Sequence, residues 1–204
     1  MINVDLIETI IFDLGRVLIR VDFTRGLFKY YQKNENSTDD EVLEQLYKDQ
    51  IFIDFNTGKI DPQELYKNLI EKYNLCLSYP EFTYEWCNIF SPMEGMQSVV
   101  ERVCKNYKCG LLSDIDPLHW QYCQEHFPIL KYFKNPSLSF EIGALKPDLK
   151  CYQQAARNTN TDLARCLFID DREINIKGAQ NAGMQAIHFT GAADLDALLL
   201  SFDI

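Results

Sequence analysis

Short apolar runs that end in a polar side chain recur along the chain. Residues 10–12 lead into Asp13, residues 109–112 into Ser113, and residues 166–169 into Asp170 and Asp171. Apolar runs of this length are typical of buried strands in a parallel sheet. Because open α/β sheets bind ligands beside the carboxyl ends of their strands, we expect these polar side chains to share one site.

After the first predicted strand, the pattern becomes helical and stays so to about residue 90. Segment 22–31 has helical spacing, and capping sequences mark three further helix starts at Thr38, Asp61-Pro62 and Ser78. A side chain that accepts from backbone N–H groups, followed by an acid or a proline in the first turn, is the usual start signal. We therefore predict four helices and no strand in this part of the chain.

The α/β pattern returns after residue 90. Helices are predicted at 94–105, 116–126, 173–182 and 194–202, and short strands at 136–140 and 186–189. We therefore predict an α/β fold with a Rossmann-like parallel sheet and an inserted α-helical cap. The core comprises 1–19 and 91–204, and the cap comprises 20–90.

The aromatic and polar stretch 52–60 lies between the second and third helices of the predicted cap. It contains Phe52, Phe55 and a turn glycine, Gly58. One interpretation is a helix connection whose two phenylalanines fill the core of the cap. The other is a loop directed at the active site.

Composition excludes several classes of partner. The chain has 204 residues, a net charge of −10 and a pI of about 4.8, which disfavours nucleic acid and anionic membranes. Seven scattered cysteines without a CxxC pair indicate buried thiols rather than a disulfide framework. The N-terminus lacks the basic region of a signal peptide, and no apolar run approaches a membrane span. We expect a cytoplasmic monomer or homodimer that binds a small molecule.

Each strand-end residue has an ordinary role and a chemical one. Asp13 and Ser113 would ordinarily be turn or N-cap residues, but an aspartate can act as a nucleophile and a serine can bind a phosphoryl oxygen. Lys146 precedes Pro147, which we interpret as a helix start, so its ammonium group would lie over an anion near the positive helix end. Asp170 and Asp171 beside Asp13 would form the all-oxygen site that Mg²⁺ prefers.

In this order the four stretches resemble the four motifs of the haloacid dehalogenase-like hydrolases. Segment 20–90 is similar to the type-one cap of that superfamily, and the resemblance extends over essentially the whole chain. Segments 12–17, 111–114 and 168–175, and the cap stretch 55–60, are most similar to the subgroup that contains bacterial α-glucose-1-phosphate phosphatases.

The resemblance implies roles for individual residues. Asp13 would attack phosphorus, and Ser113 and Lys146 would hold phosphoryl oxygens. Asp114 and Arg16 would also lie at the phosphate site, where Arg16 would either stabilise charge on the leaving group or only pack against the cap.

The resemblance also implies a set of metal ligands. Mg²⁺ would be bound by the Asp13 carboxylate, the Gly15 carbonyl and Asp171, with Asp170 binding directly or through water. The implied activity is an Mg²⁺-dependent phosphatase that hydrolyses a small phosphorylated metabolite, for example a sugar phosphate, through an aspartyl-phosphate.

Two positions depart from the superfamily pattern. Its phosphatases usually carry a general-acid aspartate two residues after the nucleophile, where this chain has Gly15, and asparagine is usual at Asp114. The missing acid keeps a catalytically weak binding or regulatory protein open as an alternative. A dehalogenase-type hydrolase is another, although the Asp170 and Asp171 pair would repel a carboxylate substrate.

Substrate discrimination is expected in the cap, because the four motifs contact only the phosphoryl group. Phe55, Asn56 and Lys59 are the predicted specificity residues. The histidines His119, His126 and His188 lack metal-ligand spacing, so we interpret all three as structural or surface residues.

Overall fold

The computed structural model describes residues 2–31 and 38–204, so residues 1 and 32–37 of the predicted domains lie outside it. Its strands are β1 (Thr9–Phe12), β2 (Ile19–Val21), β3 (Phe90–Pro92), β4 (Lys108–Ser113), β5 (Ser137–Leu138), β6 (Cys166–Asp170) and β7 (Gln185–His188). Five of them form a sheet in the order β5-β4-β1-β6-β7, and every pairing in it is parallel. The predicted α/β fold is therefore confirmed.

Ten α-helices surround the strands in the described part of the chain. They are α1 (Asp39–Leu46), α2 (Gln50–Asn56), α3 (Pro62–Tyr73), α4 (Tyr79–Cys87), α5 (Met96–Val103), α6 (Pro117–His126), α7 (Ser139–Ile142), α8 (Leu149–Asn158), α9 (Glu173–Ala182) and α10 (Ala192–Ser201). Short segments of 3-10 helix cover Val4–Leu6, Gly26–Tyr31, Pro128–Tyr132 and Leu163–Arg165. The capping residues Thr38 and Asp61 accept hydrogen bonds from the first turns of α1 and α3, as predicted.

Alternate residues of β1 enter two different hydrophobic cores. Ile10 and Phe12 pack in a cluster with α5, whereas Ile11 packs in a cluster with α8. This alternation is the normal consequence of strand geometry, and it places helices on both faces of the sheet. Because β1 lies at the centre, its carboxyl end is flanked by those of β4 and β6.

The helices α1 to α4 share a third hydrophobic cluster with the 3-10 segment Gly26–Tyr31, built around the fully buried Phe28, Phe55 and Trp86. Strands β2 and β3 pair as an antiparallel ribbon on either side of these helices in the sequence. We propose that this ribbon marks the boundary between the core and the 20–90 cap. Sequence analysis missed it, because a three-residue strand has too little periodicity to detect.

Several predicted elements were wrong in extent. The predicted helix 22–31 is a 3-10 segment that starts at Gly26, whose φ of 56° interrupts a continuous helix. Half of the expected connection 52–60 is helical, because Asp49 caps α2. The strand predicted at 136–140 ends at Leu138, and Pro147 does not begin a helix, since α8 starts at Leu149 with Asp148 as its N-cap.

The prediction of buried thiols was wrong for one pair of cysteines and for Cys76. Cys104 at the end of α5 and Cys109 in β4 form a disulfide, because the short connection brings their Cα atoms within 5.7 Å. Cys76 is an exposed thiol, and the other four thiols are buried, as predicted. Over residues 2–31 and 38–204, no helix has the length and apolarity needed to cross a membrane.

Candidate active site

Asp13 lies directly after the central strand at the carboxyl edge of the sheet. Its backbone N–H donates to the Ile169 carbonyl at 2.9 Å, which continues the pairing of β1 with β6. Ser113 ends β4 on one side of it and Asp170 ends β6 on the other. Asp13 and Ser113 also line a cavity of about 100 Å³ between core and cap. The sheet therefore brings the predicted strand-end residues together.

Lys146 is buried between two of the carboxylates. Its Nζ atom lies 2.6 Å from Asp13 Oδ1 and 2.8 Å from Asp170 Oδ2. Burial alone would lower the pKa of its ammonium group, but these carboxylates raise that pKa well above the ordinary value. Lys146 therefore remains a cation at neutral pH and holds the side chain of Asp13 in place.

The acidic cluster of Asp13, Asp170 and Asp171 fits a divalent cation. One oxygen from each of these side chains lies within 4.8 Å of the others. Burial raises the pKa of Asp13 well above its ordinary value, and the other two carboxylates add to the shift while Lys146 opposes it. Burial also raises the pKa of Asp171.

A buried oxygen in this cluster lacks a hydrogen-bond partner. Asp171 Oδ2 receives no hydrogen bond from any described residue, and Arg16 Nε lies 3.1 Å away without hydrogen-bond geometry. A divalent cation bound to these carboxylate oxygens would give Asp171 Oδ2 a partner and would reduce the repulsion among the three carboxylates. The donor set therefore fits Mg²⁺.

Asp170 is oriented by residues that sequence analysis missed. Asn175 Nδ2 on α9 donates to both of its carboxylate oxygens at 3.0 Å, and the Arg172 N–H donates at 2.8 Å. The signal available in the sequence was the position of Asn175, one helical turn after the acid pair. These bonds and Lys146 keep the carboxylate fixed.

Asp114 connects the core to the cap. One of its oxygens accepts the Lys146 N–H at 2.9 Å, and the other accepts the hydroxyl of Tyr47, which ends α1, also at 2.9 Å. Burial raises the pKa of the Tyr47 phenol well above its ordinary value, and the Asp114 carboxylate adds to the shift. The Arg172 guanidinium stacks on the Tyr47 ring at 4.5 Å.

Arg16 forms a second connection between core and cap. It has a φ of 63°, in the left-handed region, where its side chain lines the cavity. One nitrogen lies 3.1 Å from Asp171, and another lies 2.6 Å from Asp40 on α1. This geometry agrees with cap packing, and binding of phosphate by Arg16 stays a prediction.

A third connection involves His119, which we interpreted as structural. Its Nδ1 lies 2.7 Å from Asp116 Oδ2, and its Nε2 lies 2.9 Å from the carbonyl oxygen of Trp86 on α4. The Trp86 indole N–H also donates to Asp116, at 3.1 Å. His119 lines the cavity as well, but both of its ring nitrogens are occupied by protein groups.

The predicted specificity residues have different locations. Asn56 lines the cavity and is 3 % exposed. Phe55 is fully buried and packs against Trp86 in the cap, and Lys59 is exposed and pairs with Asp54. Of the cap residues predicted to read the substrate, only Asn56 is thus at the cavity.

Comparison with known proteins agrees with this geometry. The family model of the haloacid dehalogenase-like hydrolases matches residues 10–189, so the chain belongs to that family, as predicted. A D-ribitol-5-phosphate phosphatase of Bacteroides thetaiotaomicron is 22% identical over 196 residues, which cover 93% of this chain and 95% of that protein. The pyrimidine 5'-nucleotidase YjjG of Escherichia coli is 25% identical and covers 87% of this chain and 83% of its own length.

A solved structure has the same fold and the expected metal. It is a wild-type HAD family enzyme of Bacteroides thetaiotaomicron in complex with magnesium and inorganic phosphate. It superposes with a TM-score of 0.77 at 25% identity and covers 94% of this chain and 98% of that chain. The chain is thus a haloacid dehalogenase-like hydrolase whose relatives include phosphoric monoester hydrolases, and magnesium is the metal found in this neighbour.

Proposed function

We propose that this protein is an Mg²⁺-dependent phosphatase that hydrolyses a small phosphate ester through an aspartyl-phosphate on Asp13. The observation that carries the proposal is the position of Asp13 on the cavity, 2.6 Å from the Lys146 ammonium group and within one acidic cluster with Asp170 and Asp171. The relatives with phosphatase names support the same reaction class.

The residues of the chain would divide the reaction between them. An oxygen of Asp13 forms the bond to phosphorus while the bond to the ester oxygen breaks, and the ester oxygen leaves as an alkoxide that takes its proton from water. Lys146 and Ser113 hold phosphoryl oxygens, which places the phosphorus atom in line with Asp13. The Lys146 ammonium group also neutralises negative charge on these oxygens. Water then attacks the phosphorus of the aspartyl-phosphate, which releases inorganic phosphate and restores Asp13.

Asp13, the Gly15 carbonyl, Asp171 and Asp170 would hold the metal ion. When bound, Mg²⁺ would neutralise charge on the phosphoryl oxygens. Gly15 lines the cavity beside Asp13, in agreement with this assignment. Asn175 and the Arg172 N–H donate hydrogen bonds to Asp170 and would keep its carboxylate oriented towards the metal ion.

The test is turnover of phosphate esters and of 2-haloacids, with Mg²⁺ and with a chelator. The proposal expects ester hydrolysis that requires Mg²⁺ and no release of halide. Metal-independent release of halide would instead indicate a dehalogenase, and absence of all turnover would indicate a binding protein. Asp13→Asn, which keeps the shape of the side chain, serves as the inactive control.

A further inference from the structure

The cap side of the cavity is apolar. Seven residues contribute this surface: Val21, Phe23, Phe28, Leu43, Phe52, Ile89 and Phe90. The phosphoryl-binding residues lie on the opposite, core side, so the alcohol part of a bound ester would face these side chains. Apolar surface of this kind favours groups that leave water readily.

Most of the polar side-chain atoms around this apolar surface already have protein partners. The Tyr47 hydroxyl donates to Asp114, and both ring nitrogens of His119 are held by Asp116 and Trp86. Asn56 donates its amide nitrogen to the Phe52 carbonyl at 3.0 Å, which leaves its amide oxygen for a ligand. A hydroxyl group of the ligand that found no hydrogen-bond partner on this surface would weaken binding affinity by about tenfold or more.

The charged lining is balanced. Three acids, Asp13, Asp114 and Asp171, line the cavity together with three cations, Lys146, Arg16 and Arg172. A fourth acid, Asp170, lies 2.8 Å from Lys146, so the cations are not in excess. A divalent cation and a phosphate dianion would add equal and opposite charges. A leaving group with its own negative charge would therefore find no unpaired counter-charge.

Resting on the proposed function, we infer that the leaving group is a compact, uncharged, mainly apolar alcohol with one polar group at most beyond the ester oxygen. The cavity of about 100 Å³ accommodates the phosphoryl group and roughly half a dozen further heavy atoms. Asn56 would bind the single polar group. A sugar phosphate, implied by the sequence resemblance, is the competing outcome.

Three esters with five-carbon leaving groups test this inference: n-pentyl phosphate, ribitol 5-phosphate and 5-phosphonooxypentanoate. We expect kcat/KM for n-pentyl phosphate to exceed that for either other ester by about 100-fold. Hydroxyl groups withdraw electrons, so ribitol is a more acidic alcohol and a better leaving group than pentanol. Leaving-group acidity therefore cannot explain a faster reaction of n-pentyl phosphate. Equal rates, or a faster polyol or carboxylate ester, would overturn the inference.

A matched pair of variants separates the lining from general effects on the cap. Leu43 on α1 lines the cavity, whereas Ile51 on α2 is also partly buried in the cap but does not line it. Leu43→Asn should reduce the preference for n-pentyl phosphate by about tenfold, and Ile51→Asn should leave it unchanged. An equal loss in both variants would count against the inference, and the wild-type panel decides the question if a variant fails to fold.

Failure of the phosphatase proposal can be distinguished from failure of the inference about the leaving group. If no ester is hydrolysed, the phosphatase proposal fails, and calorimetry with the corresponding phosphonates in the presence of Mg²⁺ still tests the cavity. Tighter binding of pentylphosphonate than of the polyol phosphonate would support the inference. Equal or weaker binding would overturn it.

Discussion

Gly15 offers a direct way to change the chemistry of the site. It lies two residues after Asp13, at the position where the superfamily pattern usually has a general-acid aspartate, and it lines the cavity. Without an acid there, the ester oxygen departs with more negative charge, so the rate should depend steeply on leaving-group acidity. Among leaving groups of similar size and polarity, we expect aryl phosphates to be hydrolysed faster than primary alkyl esters, and sugar 1-phosphates faster than sugar 6-phosphates.

The structure indicates that an aspartate fits at this position with a small adjustment. Gly15 does not have a positive φ, so its backbone accepts a side chain. A Cβ atom there would lie 3.2 Å from Val21 Cγ2, so Val21 must move by a few tenths of an ångström. General acid catalysis is worth about 10²- to 10⁴-fold. Gly15→Asp should therefore raise kcat/KM for a primary alkyl phosphate by about 100-fold and raise it less for an aryl phosphate.

The assay is kcat/KM over phosphate esters of graded leaving-group acidity, with rapid quench to show that chemistry limits the rate. Gly15→Ala controls for the added Cβ atom, and Gly15→Asn controls for a polar side chain without a proton to donate. Val21→Ala combined with Gly15→Asp removes the crowding and should increase the gain. A flat wild-type series under rate-limiting chemistry, or the same slope in Gly15→Asp, would refute the reasoning.

Three further predictions concern metal, cap and stability. Mg²⁺ at 100 times its Kd should stabilise the protein by about 2.7 kcal/mol in thermal melting, and Asp171→Ala should abolish this shift. Tyr47→Phe removes a hydrogen bond to a buried carboxylate, so the free energy of unfolding should fall by about 1.5–3 kcal/mol, and a double-mutant cycle with Asp114→Asn in urea unfolding should show coupling. Phe55→Ala should destabilise the protein by about 3–5 kcal/mol in urea unfolding and leave substrate preference unchanged. A changed preference would instead show that Phe55 contributes to substrate specificity.

The carboxyl edge of the sheet was predictable because local patterns determine it. Apolar runs that end at Asp13, Ser113 and Asp170 are strands in the structure, and parallel pairing necessarily brings their ends together. Helix starts at Thr38 and Asp61 were predictable for a similar reason, since a capping side chain acts within one turn.

The connections between cap and core were not predictable from local patterns. The hydroxyl of Tyr47 reaches Asp114, which is 67 positions away in the sequence. His119 lacks metal-ligand spacing, and its role depends on Trp86 across the interface. Such contacts depend on how the cap packs on the core, which no periodicity encodes.

The covalent step at Asp13 is the central claim, and detection of the intermediate tests it most directly. The protein should be mixed with a reactive aryl phosphate and Mg²⁺, quenched in acid within the first turnover, digested, and analysed by mass spectrometry. We predict a phosphoryl group on Asp13 that forms and decays at rates consistent with kcat, and its absence in Asp13→Asn. Turnover without label on Asp13, or more than about a hundredth of the wild-type rate in Asp13→Asn, would contradict the account.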